Sequence, residues 1–120
     1  MRYLLIPLTV LLASCAVPKP APDAFDDAEQ AIDAAKRAGA EEHSPVELRF
    51  ANDKLAEARK GMDAKQYDKS IYLIEQSEIN SELAIEKSKA AIMRAQVAEL
   101  TRENEILRED FQTTFGEDFK

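Results

Sequence analysis

Few side chains in this sequence are able to do covalent or acid–base chemistry. The 120-residue chain holds one cysteine and one histidine. Cys15, standing alone, cannot close an intramolecular disulfide, nor can it build a metal site from several thiols. His43 lies in a predicted connector beside Glu41 and Glu42. A solvated imidazole there lacks the burial and the orienting partner that a general base or a metal ligand needs. Ser14, Ser44, Ser70, Ser77, Ser81 and Ser88 have no strand-turn-helix setting of a nucleophile elbow. The three glycines are too far apart to cradle a phosphate. Carboxylates recur with lysines and arginines at helical spacing, the pattern of a solvated face. We therefore expect no enzyme, no cofactor and no metal.

The position of Cys15 gives it a different chemistry. Met1-Arg2-Tyr3 is a short positive start, Leu4 to Leu12 an apolar run, and Ala13-Ser14-Cys15 a small-residue cleavage site. The apolar run falls well short of the ~20 residues a spanning helix needs, and Pro7 interrupts it. This is the grammar of an export signal. Leu12-Ala13-Ser14-Cys15 resembles the lipobox of bacterial lipoproteins. That resemblance implies cleavage between Ser14 and Cys15, alkylation of the Cys15 thiol by a diacylglycerol, and acylation of the new amine by a fatty acid such as palmitate. Several acyl chains at ~0.8 kcal/mol per buried methylene give stable anchoring, where a single chain gives only reversible attachment. Ala16, in place of an aspartate, resembles the sorting signal for the outer membrane and implies a lipid-anchored protein on its periplasmic face.

Removal of residues 1–14 takes away one arginine and no acid, leaving a chain one unit more acidic than the formal net charge of −7. Such a surface does not attract phosphate backbones, and no basic patch with interleaved aromatics is present, so nucleic acid is not an expected partner. Residues 15–22 form the acylated cysteine and a spacer. Pro18, Pro20 and Pro22 fix φ and lack amide donors, which predicts an extended, polyproline-like leader.

The remainder is all-α. Asp23 and Asp26 mark the start of a first helix, about 24–38, with Phe25, Ala28, Ile32 and Ala35 on one stripe and Gly39 as its stop. Ser44-Pro45-Val46-Glu47 reads as a capping box with proline at the first helical position. It opens a second helix, about 45–62, striped by Leu48, Ala51, Leu55, Ala58 and Met62. The short Gly39 to His43 connector makes these two a hairpin. No glycine or proline then appears from Gln66 until Gly116, which predicts one long third helix over about 66–112, with a tail at 113–120. At 1.5 Å per residue it runs roughly 70 Å, beyond the reach of the two shorter helices, and the helical domain of 23–112 is a short hairpin packed on it.

In the second half of that helix, Ala90, Met93, Val97, Leu100, Asn104, Leu107 and Phe111 alternate steps of three and four, a coiled-coil seam for self-association. Asn104 takes an a position, where a buried amide specifies register by pairing with its counterpart. In a parallel pair Glu103 faces Arg108, a favourable match, whereas Lys89 faces Arg94, an unfavourable one. Such exposed pairs are worth only tenths of a kcal/mol. The predicted partners are a second copy or another envelope protein.

Ala28, Ile32 and Ala35, then Gly39-Ala40 with Ser44-Pro45 and Glu47-Leu48, then Ala51, Lys54-Leu55, Ala58, Gly61, Tyr67 and Ser70 resemble the bacterial envelope lipoproteins grouped as domain of unknown function 4398. The resemblance covers roughly Asp23 to Ala95. Some members precede a peptidoglycan-binding OmpA-type domain, and the family implies placement and fold without an assigned reaction. Lys60 to Tyr67 is similar to the turn of a tetratricopeptide helical hairpin, from which Ser70 and Ser77 depart, since alanine is usual there. A single copy does not imply a peptide groove.

The expected role is that of a structural or interaction lipoprotein, a scaffold or adaptor of the cell envelope. One alternative rests on likeness to the major outer-membrane lipoprotein of enteric bacteria, an acylated coiled coil bonded to peptidoglycan through its terminal lysine, which points to Lys120. Against it, Gly116-Glu117-Asp118 place acids where the enteric protein has bases. Another alternative is a small-ligand module in the hairpin groove, lined by Phe50, Tyr67 and Tyr72.

Overall fold

The computed structural model describes residues 18–116. Ser14, Cys15 and Lys120, with the signal and the cleavage site, lie outside the described residues. Among the described residues the fold is all-helical, with three shorter helices on one long one: α1 (Ala24–Arg37), α2 (Ala40–His43), α3 (Pro45–Asp63) and α4 (Tyr67–Phe115).

α1 carries Asp26 and Asp27 in its first turn and Lys36 and Arg37 in its last, each set opposing the local end of the helix dipole. Asp23, which marks its start, is of a type that caps helices. Its side chain makes no capping bond, because its backbone is already helical (φ −79°, ψ −19°) and does not aim the carboxylate at the free amides. The chain leaves α1 through Gly39, whose φ of +85° is a left-handed conformation open to glycine at little cost. The expected connector then winds into a turn of its own. Glu42 and His43 N–H groups donate back to Gly39 O at 3.2 and 3.0 Å, forming α2 and burying Ala40.

At the start of α3, Pro45 takes the first position, where its missing amide costs nothing. Ser44 departs from the expected box: its Oγ donates to Glu47 Oε2 at 2.7 Å and caps no backbone amide. α3 closes with a pair of bonds, Gln66 N–H to Gly61 O at 2.8 Å and Lys65 N–H to Met62 O at 3.0 Å, around a left-handed Lys65 at φ 58°. This is a Schellman motif with lysine where glycine is usual. The chain turns through three residues, 64–66, straight into α4.

α4 is long because nothing in it stops a helix. It holds no glycine or proline over 49 residues and runs on to Phe115, past the expected end at Gln112. Hydroxyls inside it bond back along the helix, Ser81 to Ser77 O at 2.9 Å and Ser88 to Ala84 O at 2.7 Å, which satisfies them without a partner helix.

Every shorter element packs on the first half of α4, α3 most extensively and α1 next, while α1 and α3 touch each other less. α3 is antiparallel to α4: Ser70 Oγ donates to Ala58 O and Ser77 Oγ to Ala51 O, both at 2.8 Å. α1 is parallel to α4. Ala24 shares a recess with Ile71 and Ile74 at one end, and Gly39 lies near Ile92 at the other. The core is narrow, with Ile32, Leu48, Leu55, Leu73 and Ile74 set among Ala28, Ala35, Ala51, Ala58 and Ala84. Small residues let the backbones approach closely. Ser70 and Ser77 therefore have a structural reason to be serine, since both are wholly buried and each ties α4 to a carbonyl of α3.

The described part of the proline leader also departs from expectation. Instead of extending freely, it folds against the end of the bundle. Pro20 is buried, and Lys19 to Pro22 wall a recess of about 650 Å³ with Phe25, Arg59 and Met62. Prolines have no amide to leave unsatisfied, so such a segment packs on apolar surface without breaking hydrogen bonds. Arg59 pins α1 to α3 at this end, ion-paired to Glu29 with its guanidinium 5.3 Å from the Phe25 ring centre.

Candidate functional site

The sequence leaves α4 with more helix than the bundle can cover, and the structure shows where cover ends. Ala90, Ala91 and Ile92 are the last residues near the short helices, and from Met93 to Phe115 every residue is exposed. That free stretch is 23 residues, roughly 35 Å at 1.5 Å per residue. The seam lies on it: Met93 and Val97 are 63% exposed and Leu107 65%, with Leu100 and Phe111 similar. Large aliphatic side chains this bare, in a continuous helical stripe, differ from the scattered apolar residues of an ordinary surface.

Asn104 interrupts the stripe. Its amide is turned back on its own helix, Nδ2 donating to Leu100 O at 3.2 Å. In a monomer that amide is solvated; between two seams it would need a partner across the interface. At the tip, the Phe111 and Phe115 rings sit 5.3 Å apart and tilted by 40°. Arg102 and Glu99 pair at 3.9 Å on the outer face, and Lys89 pairs with Glu86 at 2.8 Å near the root of the free stretch.

Because α1 runs parallel to α4, the leader and the bare tip are at opposite ends of the molecule. The short helices form a collar at the leader end, and α4 projects beyond them. Two features hold this geometry. Lys87, on α4, is ion-paired to Glu47 in the first turn of α3, and Ser44 donates to the same carboxylate. Those contacts hold the Glu47 carboxyl well below its ordinary range, from 4.5 to about 2. On another face, burial and then the nearby carboxylates of Asp27, Glu75 and Glu82 push Glu78 above its usual range.

The sequence seam began at Ala90. Tyr72, Ile79 and Leu83 stand exposed on the same side of α4, within the bundle half, and fall in the same heptad frame. Counting back by sevens from Ala90 and Met93 would have found them, but in the sequence they are interleaved with the buried Leu73, Ile74 and Ala84. Phe50 and Tyr72, suggested as pocket walls, are both exposed, and Tyr67 is half-buried. His43 is exposed in the last turn of α2. Among the described residues no cluster of three or more His, Cys, Asp or Glu could hold a metal ion. No described helix is long and apolar enough to cross a membrane.

The family described as Domain of unknown function (DUF4398) matches residues 23–100. This match takes in α1, α2, α3 and α4 as far as Leu100, so it covers the bundle and the root of the free stretch. No curated protein and no solved structure matches the chain.

Proposed function

The chain belongs to the DUF4398 family, and we propose that it is a non-enzymatic lipoprotein of the bacterial cell envelope that acts as a scaffold or adaptor. In this reading acyl chains on Cys15 hold it to the periplasmic face of the outer membrane. The collar of α1, α2 and α3 stands α4 upright, and the seam from Ala90 to Phe111 is offered to a second copy or to another envelope protein.

The observation that carries the reading is the opposition of the two ends. The leader from Pro18 to Pro22 lies at the collar, and α4 runs from there to a bare apolar tip roughly 73 Å away at 1.5 Å per residue. An anchor at the leader end points the unpaired seam away from the bilayer. A helix that merely completed its own fold would gain nothing from large apolar side chains over that stretch, since each exposed Leu or Val forfeits the ~25 cal/mol per Å² available on burial. No electrostatic attraction to a membrane is needed, because the attachment is covalent lipid.

Two measurements test it on the full chain expressed in a bacterial host. Labelling with radioactive palmitate should mark the protein and leave Cys15→Ser unmarked, with that variant lost from the outer-membrane fraction. Label that persists in Cys15→Ser, or an unchanged distribution, would sink the anchor. Light scattering of the detergent-solubilised protein should show more than one chain per particle, and a monomer at every concentration would remove self-association.

A further inference from the structure

We propose that α4 pairs with α4 of a second copy in parallel and in register, along one face that starts on the collar at Tyr72 and ends at Phe111. This deepens the self-association reading and rests on it.

The first ground is the geometry of α4 itself. At 100° per residue, Ser70, Ser77, Ser81, Ala84 and Ser88 lie on the side that meets α1 and α3. Tyr72, Ile79 and Leu83 lie about 160° around from them, in phase with Met93 and Val97. The two sides differ in kind. The covered side uses small residues that let helices approach, whereas the open side uses large ones, exposed by 58%, 54% and 44% at Tyr72, Ile79 and Leu83. The collar thus leaves most of the back of α4 free, with Gln76 and Ala90 half-covered, and the stripe there does not stop where the collar begins. Its polar interruptions on the collar are Gln76, half-buried, and Glu86, whose carboxylate is held by Lys89 at 2.8 Å, and its one shallow layer is Ala90.

The second ground is charge, which separates the two orientations. In a parallel pair, residues at g face those at the following e of the other copy. Glu103 then meets Arg108, which is favourable, Glu82 comes beside Lys87, whose charge is already held by Glu47, and Lys89 with Arg94 is unfavourable. An antiparallel pair over the same face sets g against g and e against e. Glu82 then meets Glu103 and Glu75 meets Asp110, both pairs of like charge. The same antiparallel register places Asn104 against Ile79, where its amide would be buried without a partner, whereas the parallel one places it against Asn104 of the second copy. A parallel pair also keeps both leaders at one end, as two copies anchored in one membrane require.

Single cysteines in the full chain carrying Cys15→Ser, which has no other thiol, read the register directly. Leu83→Cys, Leu107→Cys and Arg102→Cys are all at exposed positions, and their helix content by circular dichroism should match the parent. Under mild oxidation Leu83→Cys and Leu107→Cys should each cross-link between copies, at least roughly tenfold faster than Arg102→Cys on the outer face, because only facing pairs reach disulfide geometry. Cross-linking at Leu107→Cys alone would overturn the continuous face, and cross-linking at neither site in a particle of dimeric mass would overturn the parallel register while leaving self-association standing. Equal rates at all three sites would also overturn it, as random collision. A monomeric mass would remove self-association and this proposal together.

Discussion

Glu47 and Lys87, forty residues apart in the chain, form an ion pair that ties the first turn of α3 to the middle of α4. Ser44 donates to the same carboxylate at 2.7 Å, so one acid joins the end of the short connector, α3 and the long helix. Its pKa falls from 4.5 to about 2, with the bond from Lys87 as the largest cause and that from Ser44 next. A carboxyl with a depressed folded pKa adds stability that is fully present above about pH 4.5 and is lost as pH falls through about 2. Glu47→Gln should therefore unfold more readily than the parent at pH 7 in urea titrations, and the gap should narrow steadily between pH 4.5 and 2. A gap independent of pH would mean that the Glu47 carboxylate is not ionically held.

Glu78 should respond with the opposite sign. Burial raises its pKa, and Asp27, Glu75 and Glu82 raise it further, so its charged form weighs against folding at neutral pH. Glu78→Gln should raise the urea midpoint at pH 7, and the advantage should vanish once the pH is low enough for Glu78 to be protonated in both states. Destabilisation at pH 7 would show that the carboxylate has a partner which its neutral isostere cannot replace.

Ser70 and Ser77 explain why this bundle departs from an all-alanine seam. Both are fully buried and each donates across to α3, at 2.8 Å. Replacing either by alanine should cost about 0.5–1.5 kcal/mol, the net value of one such bond, since the acceptor carbonyl keeps its own helical partner. Ser77→Leu should cost more, because the closely packed helices have no space for the added volume. Urea unfolding of the three variants gives the order, and a stabilising Ser77→Leu would contradict the close packing of α3 on α4.

The two left-handed turn residues among the described ones should respond oppositely to exchange of their types. Gly39, at φ +85°, would place a β-carbon 3.3 Å from His43 Cδ2, so Gly39→Ala combines backbone strain with crowding and should destabilise by roughly 1 kcal/mol. Lys65 already bears a side chain at φ 58°, inside the Schellman turn of α3. Lys65→Gly should stabilise by about 1 kcal/mol, because relief of that strain outweighs glycine's greater freedom in the unfolded chain. Thermal melts of both variants check the signs.

Much of the fold was legible because each helix announces its limits by residue type: Gly39 ends the first, Ser44-Pro45 opens the second, and an absence of breakers makes the last one long. The side-chain details were less so. Asp23 and Ser44 have capping types, yet their backbone angles decide whether an oxygen reaches an amide, and those angles come from the packed chain. The proline leader has the composition of a spacer, and only the apolar end of the bundle explains why Pro20 is buried. In α4 the free half shows one apolar stripe, legible in the sequence from its steps of three and four. The collar half carries two apolar stripes on opposite sides, and Tyr72, Leu73 and Ile74 in succession blur both. The DUF4398 match to residues 23–100 agrees with the resemblance drawn from the motifs. It adds no chemistry to that resemblance.

Asn104 offers the sharpest test of the seam as an interface. Its amide bonds only to Leu100 O of its own helix, at 3.2 Å, and it is surrounded by exposed apolar neighbours along the stripe. If the seam stays in solvent, Asn104→Ile exchanges one exposed side chain for another, with an effect on unfolding within about 0.5 kcal/mol and none on mass. If two seams meet, the same change removes a buried polar pair, strengthens the association and loosens its specificity, because isoleucine at a tolerates registers and strand numbers that asparagine rejects. We expect the full chain with Asn104→Ile to dissociate at least roughly tenfold less readily than the parent in light scattering, and to include particles larger than a dimer. Parent and variant that are both monomeric over the same concentrations would instead leave the stripe from Met93 to Phe111 to a different partner protein.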